Sequence, residues 1–329
     1  MIYADQRWIG NHGIGRFARH VLAALDYRPV PLSSNPAAPL DSWFLGLALR
    51  QLDRTDVFFS PGYNTPLFCP APFVFTIHDL SHIYCPEGRR PQIQLYYATV
   101  MKRACRRAVR ILTVSEFTRK QIINWSGVAA EKVVNVGNGV DSTYRPEGDS
   151  YGLPFRYLLS VSNRRPHKNE FRIVAAFAKA NLDSSLHLVF TGNLTHKLAS
   201  WIEEQGVSGR VKFLGAIEEE KMPPLYRGAE ALILPSLYEG FGLPVLEAMA
   251  CGTPVVTSNV TAMPETAGDA ALLVDPRSVE QIALAIARVM SDSSLRQQLR
   301  ERSINRAAGF SWLSTCGLVR RTLAETNRS

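Results

Sequence analysis

No stretch of this 329-residue chain stays apolar for the roughly 18 positions that a membrane-crossing helix needs. Its opening residues, Met1-Ile2-Tyr3-Ala4-Asp5-Gln6-Arg7-Trp8, set no basic end before an apolar stretch, so no secretory signal is expected there. Cysteine is sparse. Cys69, Cys85, Cys105, Cys251 and Cys316 are dispersed, odd in number and without a Cys-x-x-Cys pair. That excludes a disulfide scaffold, argues against a zinc site, and fits reduced thiols in a cytoplasmic protein. The seven histidines form no His-Glu-x-x-His, and no two aspartates stand two residues apart. No metal and no other cofactor is therefore expected. Only 20% of residues are charged and 46% are apolar, a globular composition and not a disordered one.

The charge that is present is unbalanced. Lysine and arginine outnumber aspartate and glutamate by 37 to 29, for a net charge of +8. An anionic partner fits such a balance: nucleic acid, acidic lipid or a phosphorylated small molecule. The densest cluster, Lys102, Arg103, Arg106, Arg107 and Arg110, has helical spacing. Ile93, Leu95, Tyr96, Tyr97, Val100 and Met101 precede it and supply an apolar side. One reading is a solvated face on a surface helix. The other is a basic amphipathic helix resting on anionic lipid. Nucleic acid is not expected, because no aromatics interleave the basic run and no recognition motif appears.

Along the chain, short β-branched or aromatic runs alternate with helical patterns. Strands are expected over 56–60, 73–77, 111–114, 133–136, 157–161, 187–191, 211–214, 231–234, 254–258 and 271–274. Most are apolar throughout, as in strands covered on both faces. Helices are expected over 15–25, 91–109, 116–125, 169–180, 198–205, 242–250, 279–291 and 311–325. The alternation implies parallel α/β units. It runs twice, with a polar break at 147–154. Two doubly wound domains, 1–150 and 151–309, facing a cleft are expected, followed by a final segment, 310–329.

Four motifs could carry chemistry. Gly13-Ile14-Gly15-Arg16-Phe17-Ala18 has the form of a dinucleotide-binding turn. Its preceding strand is very short, and no acid follows in 29–35, so a nicotinamide cofactor is disfavoured. A glycine loop facing a phosphorylated ligand, or a plain turn before a helix, remains. His78-Asp79 ends an apolar run, where strand ends face a ligand crevice. His78 could donate to a sugar hydroxyl there, or serve a nearby carbonyl. Arg164-Arg165-Pro166-His167-Lys168-Asn169 follows the first strand of the second half. Arg164 and Lys168 could neutralise a diphosphate, or sit on a solvated turn. The fourth, running from Pro235 to Gly252, is the most informative. Glu239 lies in a loop and Glu247 two turns into a helix. Gly240 and Gly242 flank Phe241 and let the backbone approach a phosphate or sugar closely.

This last segment, Glu239-Gly240-Phe241-Gly242-Leu243-Pro244 through Glu247-Ala248-Met249-Ala250-Cys251-Gly252, resembles glycosyltransferase family 4 of the GT-B fold. The resemblance extends to Gly13–Phe17, His78-Asp79-Leu80, Ser115-Glu116, Asn138-Gly139, Pro166-His167-Lys168-Asn169, Phe213-Leu214-Gly215 and Phe310-Ser311-Trp312. It implies two Rossmann-like domains and a last helix packing back on the first. It implies retaining transfer from a nucleotide-diphosphate sugar to a glycan or lipid-linked acceptor. By that analogy Glu239 holds the donor sugar and Glu247 the ribose. The backbone from Gly240 to Leu243 meets sugar and diphosphate. Arg164 and Lys168 neutralise the leaving group, and Gly13 and Gly15 complete the phosphate site. His78 contacts the sugar, and the base rests near Leu214 and Gly215. One departure stands out: Asn163 occupies the place of a common family arginine, with Arg164 one position later.

The wording around His78 and Lys168 is similar to bacterial mannosyl- and rhamnosyltransferases that use GDP-sugars in lipopolysaccharide and polysaccharide synthesis. GDP-mannose is the expected donor. A UDP-sugar enzyme of the same fold is the nearest alternative, and a non-catalytic nucleotide-sugar-binding scaffold the next. The expected location is the cytoplasm, with peripheral contact to the inner face of the membrane.

Overall fold

A computed structural model of the protein describes residues 1–38, 40–85 and 91–326. The chain divides into two compact units, 1–139 with 311–329, and 140–310. Each is built on a six-stranded parallel sheet.

The first unit runs β1 (Ile2–Ala4), α1 (Gly13–Ala23), β2 (Arg28–Pro29), α2 (Asp41–Ala48), β3 (Val57–Ser60), β4 (Phe73–Thr76) and α3 (Ser81–Tyr84). It continues through α4 (Pro91–Tyr96), a π-helical turn (Tyr97–Met101), α5 (Lys102–Arg107), β5 (Arg110–Thr113), α6 (Glu116–Ser126) and β6 (Val133–Asn135). The strand order is β2-β1-β3-β4-β5-β6. The second unit has β7 (Tyr157–Ser160), α7 (Glu170–Lys179), β8 (His187–Phe190), α8 (His196–Glu204), β9 (Val211–Phe213), α9 (Met222–Gly228), β10 (Ala231–Leu234) and α10 (Leu243–Ala250). β11 (Val255–Ser258), α11 (Met263–Ala267), β12 (Leu272–Val274), α12 (Val279–Ser291) and α13 (Ser293–Ala307) complete it. Its sheet order is β12-β11-β10-β7-β8-β9. The last helix, α14 (Trp312–Thr326), lies against α1, β3 and β5 of the first unit.

The strands are apolar because helices cover both faces. Phe58, Phe75, Ile77, Tyr97 and Met101 anchor the first core, and Leu158, Phe177, Phe190, Ile233 and Ile286 the second. The division falls at 139/140 and not at the polar stretch near 150. Residues 144–151 are tied to α9: Tyr144 packs against Tyr226, Tyr151 N–H donates to the Pro224 carbonyl at 2.9 Å, and Arg227 Nε donates to the Asp149 carbonyl at 2.8 Å. α14 is fixed where Trp312 stacks on His20 at 4.2 Å.

The basic segment departs from a single amphipathic helix. A π turn interrupts it, and Arg110 has left it to begin β5. Tyr97 and Met101 are buried in the first core, with Ile93 and Tyr96 packed against it. Those four residues face the sheet, while Leu95 is 64% exposed. Arg103, Arg106 and Arg107 point to solvent, while Lys102 stands over the Trp125 ring at 5.6 Å. Among the described residues, no helix is long and apolar enough to cross a membrane.

Candidate functional site

In the second unit the strand order reverses between β7 and β10. The loops after those two strands diverge there, and such a point opens a ligand crevice at the carboxyl ends of the strands. The loop after β7 carries Lys168 in a short 3-10 turn, Pro166–Lys168, and the loop after β10 carries Glu239. Lys168 Nζ donates to Glu239 Oε1 at 2.7 Å, and both side chains are nearly buried. Two further bonds hold these loops in register, and a third ties them to the segment after β12. Leu237 N–H donates to the His167 carbonyl at 2.8 Å, and Asn169 Nδ2 donates to the carbonyls of Pro235 at 2.9 Å and Pro276 at 2.6 Å. Asn169 sits at φ +66°, a left-handed conformation that asparagine tolerates.

Glu239 is fixed from a third side. Its N–H donates to Thr261 Oγ1 at 3.2 Å. Thr261 has φ +60°, which a β-branched residue rarely holds, so its surroundings impose the strain. Gly242 ends the Glu239 loop at φ +95° and begins α10 without a side-chain cap. Pro244 has no N–H and the Val245 N–H donates to the Gly242 carbonyl at 2.9 Å, so the first turn of α10 offers an anion its positive dipole end and the Leu243 N–H. Glu247 is buried farther along α10, where it accepts the Tyr226 hydroxyl at 2.8 Å.

Arg164 is held differently from Lys168. At φ +61° its side chain turns back into the wall of the unit. It pairs with Glu170 and donates to the carbonyls of Thr191 and, at 2.8 Å, Asn193. Its guanidinium lies 5.4 Å from the Phe190 ring and 5.0 Å from that of Phe213. Leu214 and Gly215 belong to the same wall: Leu214 N–H donates to the Phe190 carbonyl at 3.0 Å, and Gly192 N–H to that of Gly215. The site residues of this unit therefore form two sets, Lys168 with Glu239 and Arg164 with 213–215. Glu247 is tied to Tyr226.

In the first unit the strand order reverses between β1 and β3. Gly15 has a packing reason to be glycine, since a Cβ there would lie 2.4 Å from the Gly10 carbonyl oxygen. Its N–H already donates to His12 Nδ1 at 3.1 Å, which caps α1 just before Gly13. His78 follows β4. Its Nε2 lies 2.8 Å from the Pro61 carbonyl, which can only accept. Nε2 therefore carries the proton, and Nδ1 is the acceptor. Of the two expectations for His78, service to a nearby carbonyl is the one this bond meets, and Nδ1 is left able to accept a hydroxyl. Burial pushes its pKa down to about 4, against the opposing pull of Pro61 and Asp79. His78 is neutral at pH 7.

That shift has a stability consequence. The unfolded chain binds a proton near the ordinary 6.5 and the folded chain only near 4. The effect is absent above the unfolded value, and stability declines as pH falls between the two. Wild type should lose about 2 kcal/mol more than His78→Gln between pH 7 and pH 5 in denaturant unfolding. Equal losses would refute it.

A second cluster occupies the carboxyl ends of β1 and β3. Arg7 binds Asp5 through Nε at 2.8 Å and Nη2 at 2.7 Å, and Asp41 through Nη1 at 2.6 Å. Asn64 Nδ2 donates to both carboxylates, at 2.6 and 3.1 Å. All four side chains are buried.

Two family models match this chain: glycosyltransferase family 4 over residues 9–144 and glycosyl transferases group 1 over residues 152–306. The chain is 34% identical over 253 residues to O-antigen chain mannosyltransferase B of Escherichia coli, covering 73% of this chain and 66% of that one. The chain belongs to glycosyltransferase family 4. It is also 32% identical over 238 residues to the MMP α-(1→4)-mannosyltransferase of Mycolicibacterium hassiacum, covering 69% of this chain and 57% of that one. It thus spans about two thirds or less of the length of these relatives. In fold it is similar to sucrose-phosphate synthase of Thermosynechococcus elongatus, with a TM-score of 0.77 at 20% identity, over 98% of this chain and 99% of that one. Its architecture is GT-B.

Several groups that shape this site escape a reading of the sequence. Glu170 and Tyr226 take up Arg164 and Glu247, yet neither partnership follows a helical or strand spacing. Thr261 lies 22 residues from Glu239 and carries no motif. Asn169 was visible within Pro166-His167-Lys168-Asn169, but its bonds to Pro235 and Pro276 depend on the tertiary fold.

Proposed function

We propose that this chain transfers mannose, with retention, from GDP-mannose to a glycan or lipid-linked acceptor in cell-surface polysaccharide synthesis. The observation that carries the reading is the Lys168–Glu239 pair at the switch point of the second sheet, beside an uncapped α10. Two relatives named as mannosyltransferases support the choice of sugar.

The leaving diphosphate gains negative charge as the anomeric C–O bond breaks. A fixed ammonium and a helix N–H lower the barrier to that step. Lys168 takes this role. Arg164 contributes through the wall it braces. Glu239 receives donor-sugar hydroxyls, and Glu247 the ribose. The anomeric carbon becomes oxocarbenium-like. The acceptor oxygen then bonds to it on the face the phosphate leaves, and the acceptor proton passes to a phosphate oxygen. The products are GDP and the mannoside. No metal takes part in this scheme. We place the protein in the cytoplasm, peripheral on the inner face of the cell membrane.

A thermal-shift series with GDP-mannose, UDP-glucose and UDP-N-acetylglucosamine tests the donor, followed by transfer assays with and without EDTA. GDP-mannose at about 100 times its Kd should add about 2.7 kcal/mol of stability. Turnover should survive chelation. A response to UDP-sugars alone would replace the donor, and turnover abolished by EDTA would end the metal-independent scheme.

A further inference from the structure

A cavity of about 250 Å³ opens at the amino ends of β10 and β11. Lys168 and Glu239 stand at the carboxyl ends of the same sheet, so the cavity is separate from their crevice. Three arginines line it: Arg227 from the end of α9, and Arg296 and Arg300 from α13. Ser293, Gln297 and Glu230 stand with them in the wall.

Backbone carbonyls fix each guanidinium. Arg227 Nε donates to that of Asp149 at 2.8 Å and Nη1 to that of Arg145 at 3.3 Å. Arg296 Nη1 donates to those of Val289 at 2.9 Å and Met290 at 2.5 Å. Arg300 Nη1 donates to that of Gly252 at 3.4 Å. A carbonyl holds a guanidinium in place without neutralising it. Among the described residues, none of the three arginines is paired with a carboxylate. The acid in the wall, Glu230, is taken by Arg156 at 2.7 Å. Arg296 and Arg300 stand four positions apart on α13, a spacing at which like charges repel. Ser293 opens that helix, so its positive dipole end adds to the same field.

Fixed cations without a counter-charge make a site for an anion. The planar fork of a guanidinium matches phosphate oxygens two at a time. The volume falls below the roughly 300–1,000 Å³ of sites that hold drug-sized ligands, so the occupant is compact. We propose that this cavity binds a small phosphate anion, with inorganic diphosphate preferred to phosphate because three guanidinium groups face it. The site lies outside the donor crevice and needs no donor or acceptor.

Calorimetric titration of the full chain with inorganic diphosphate and with phosphate, at fixed ionic strength, tests it. The Lys168 crevice also favours a diphosphate, and variants separate the two. Lys168→Ala should retain a diphosphate site. Arg296→Gln/Arg300→Gln should weaken that site about tenfold or more, the worth of a lost charge-assisted bond. Ser293→Glu guards against misfolding. An acid at the first position of α13 supports the helix and leaves the three arginines in place, yet it sets a negative charge in the cavity. It should weaken diphosphate binding as well, with an unfolding midpoint no lower than that of wild type. Diphosphate bound by Ser293→Glu as tightly as by wild type would overturn the proposal. So would binding that Lys168→Ala abolishes altogether, or wild type that binds no diphosphate at about 1 mM.

Discussion

Lys168→Ala should lower kcat/KM for donor transfer by about 10²–10³-fold, the loss expected when one preorganised group that stabilises developing charge is removed. Lys168 is both part of the scaffold and the proposed partner of the diphosphate, and the two contributions can be separated. Removing the ammonium leaves the Glu239 carboxylate nearly buried and unmatched by its partner at 2.7 Å. That alone should cost about 1–3 kcal/mol in unfolding, because a desolvated acceptor has lost its donor. Lys168→Ala/Glu239→Gln removes the stranded charge, so its stability should return toward wild type. Turnover should not return, since neither substitution restores a cation for the leaving group. Urea unfolding and initial rates on the same four proteins make the cycle. Recovery of turnover in the double variant, or a single variant within threefold of wild type, would remove Lys168 from the reaction.

Both sheets were legible in the sequence wherever strands are buried on both faces and run four residues or so. Val57–Ser60, Tyr157–Ser160 and Ala231–Leu234 lie within the expected runs. The alternation with helices then implied parallel units, and the switch points follow from the strand order. β2 spans two exposed residues and escaped, because pairing with β1 and not composition defines it. α2 escaped for the opposite reason: Asp41-Ser42-Trp43-Phe44-Leu45-Gly46-Leu47-Ala48 has no polar face and so no helical period. α13 buries only Leu299, Ser303 and Ala307, too few for an apolar stripe.

Arg164 shows why spacing alone places charge poorly. Six positions separate it from Glu170, which in a regular helix would set the two on different faces. The left-handed turn at Arg164 and the second one at Asn169 reverse the chain between them, and the guanidinium meets the carboxylate. Lys168 lies between those two turns and is aimed at Glu239. The sequence presents two similar cations at the end of β7. The backbone makes one a brace and leaves the other at the crevice.

Arg7→Met should unsettle the first unit more than any surface change. Asp5 and Asp41 share this one guanidinium, and both are buried. With the arginine gone, Asn64 can donate to each, but two carboxylates face one another without a cation. Breaking a buried ion cluster by removing one partner costs roughly 3–5 kcal/mol. The sign of the pH dependence identifies the cause. Burial and mutual repulsion would raise the carboxylate pKa values of the folded variant above those of its unfolded chain. The folded variant then binds more protons, so its deficit should shrink as pH falls from 7 toward 5. Arg7→Met/Asp41→Asn should recover much of the loss at pH 7 and flatten that dependence. A deficit that stays constant with pH would mean that packing, and not stranded charge, sets the cost.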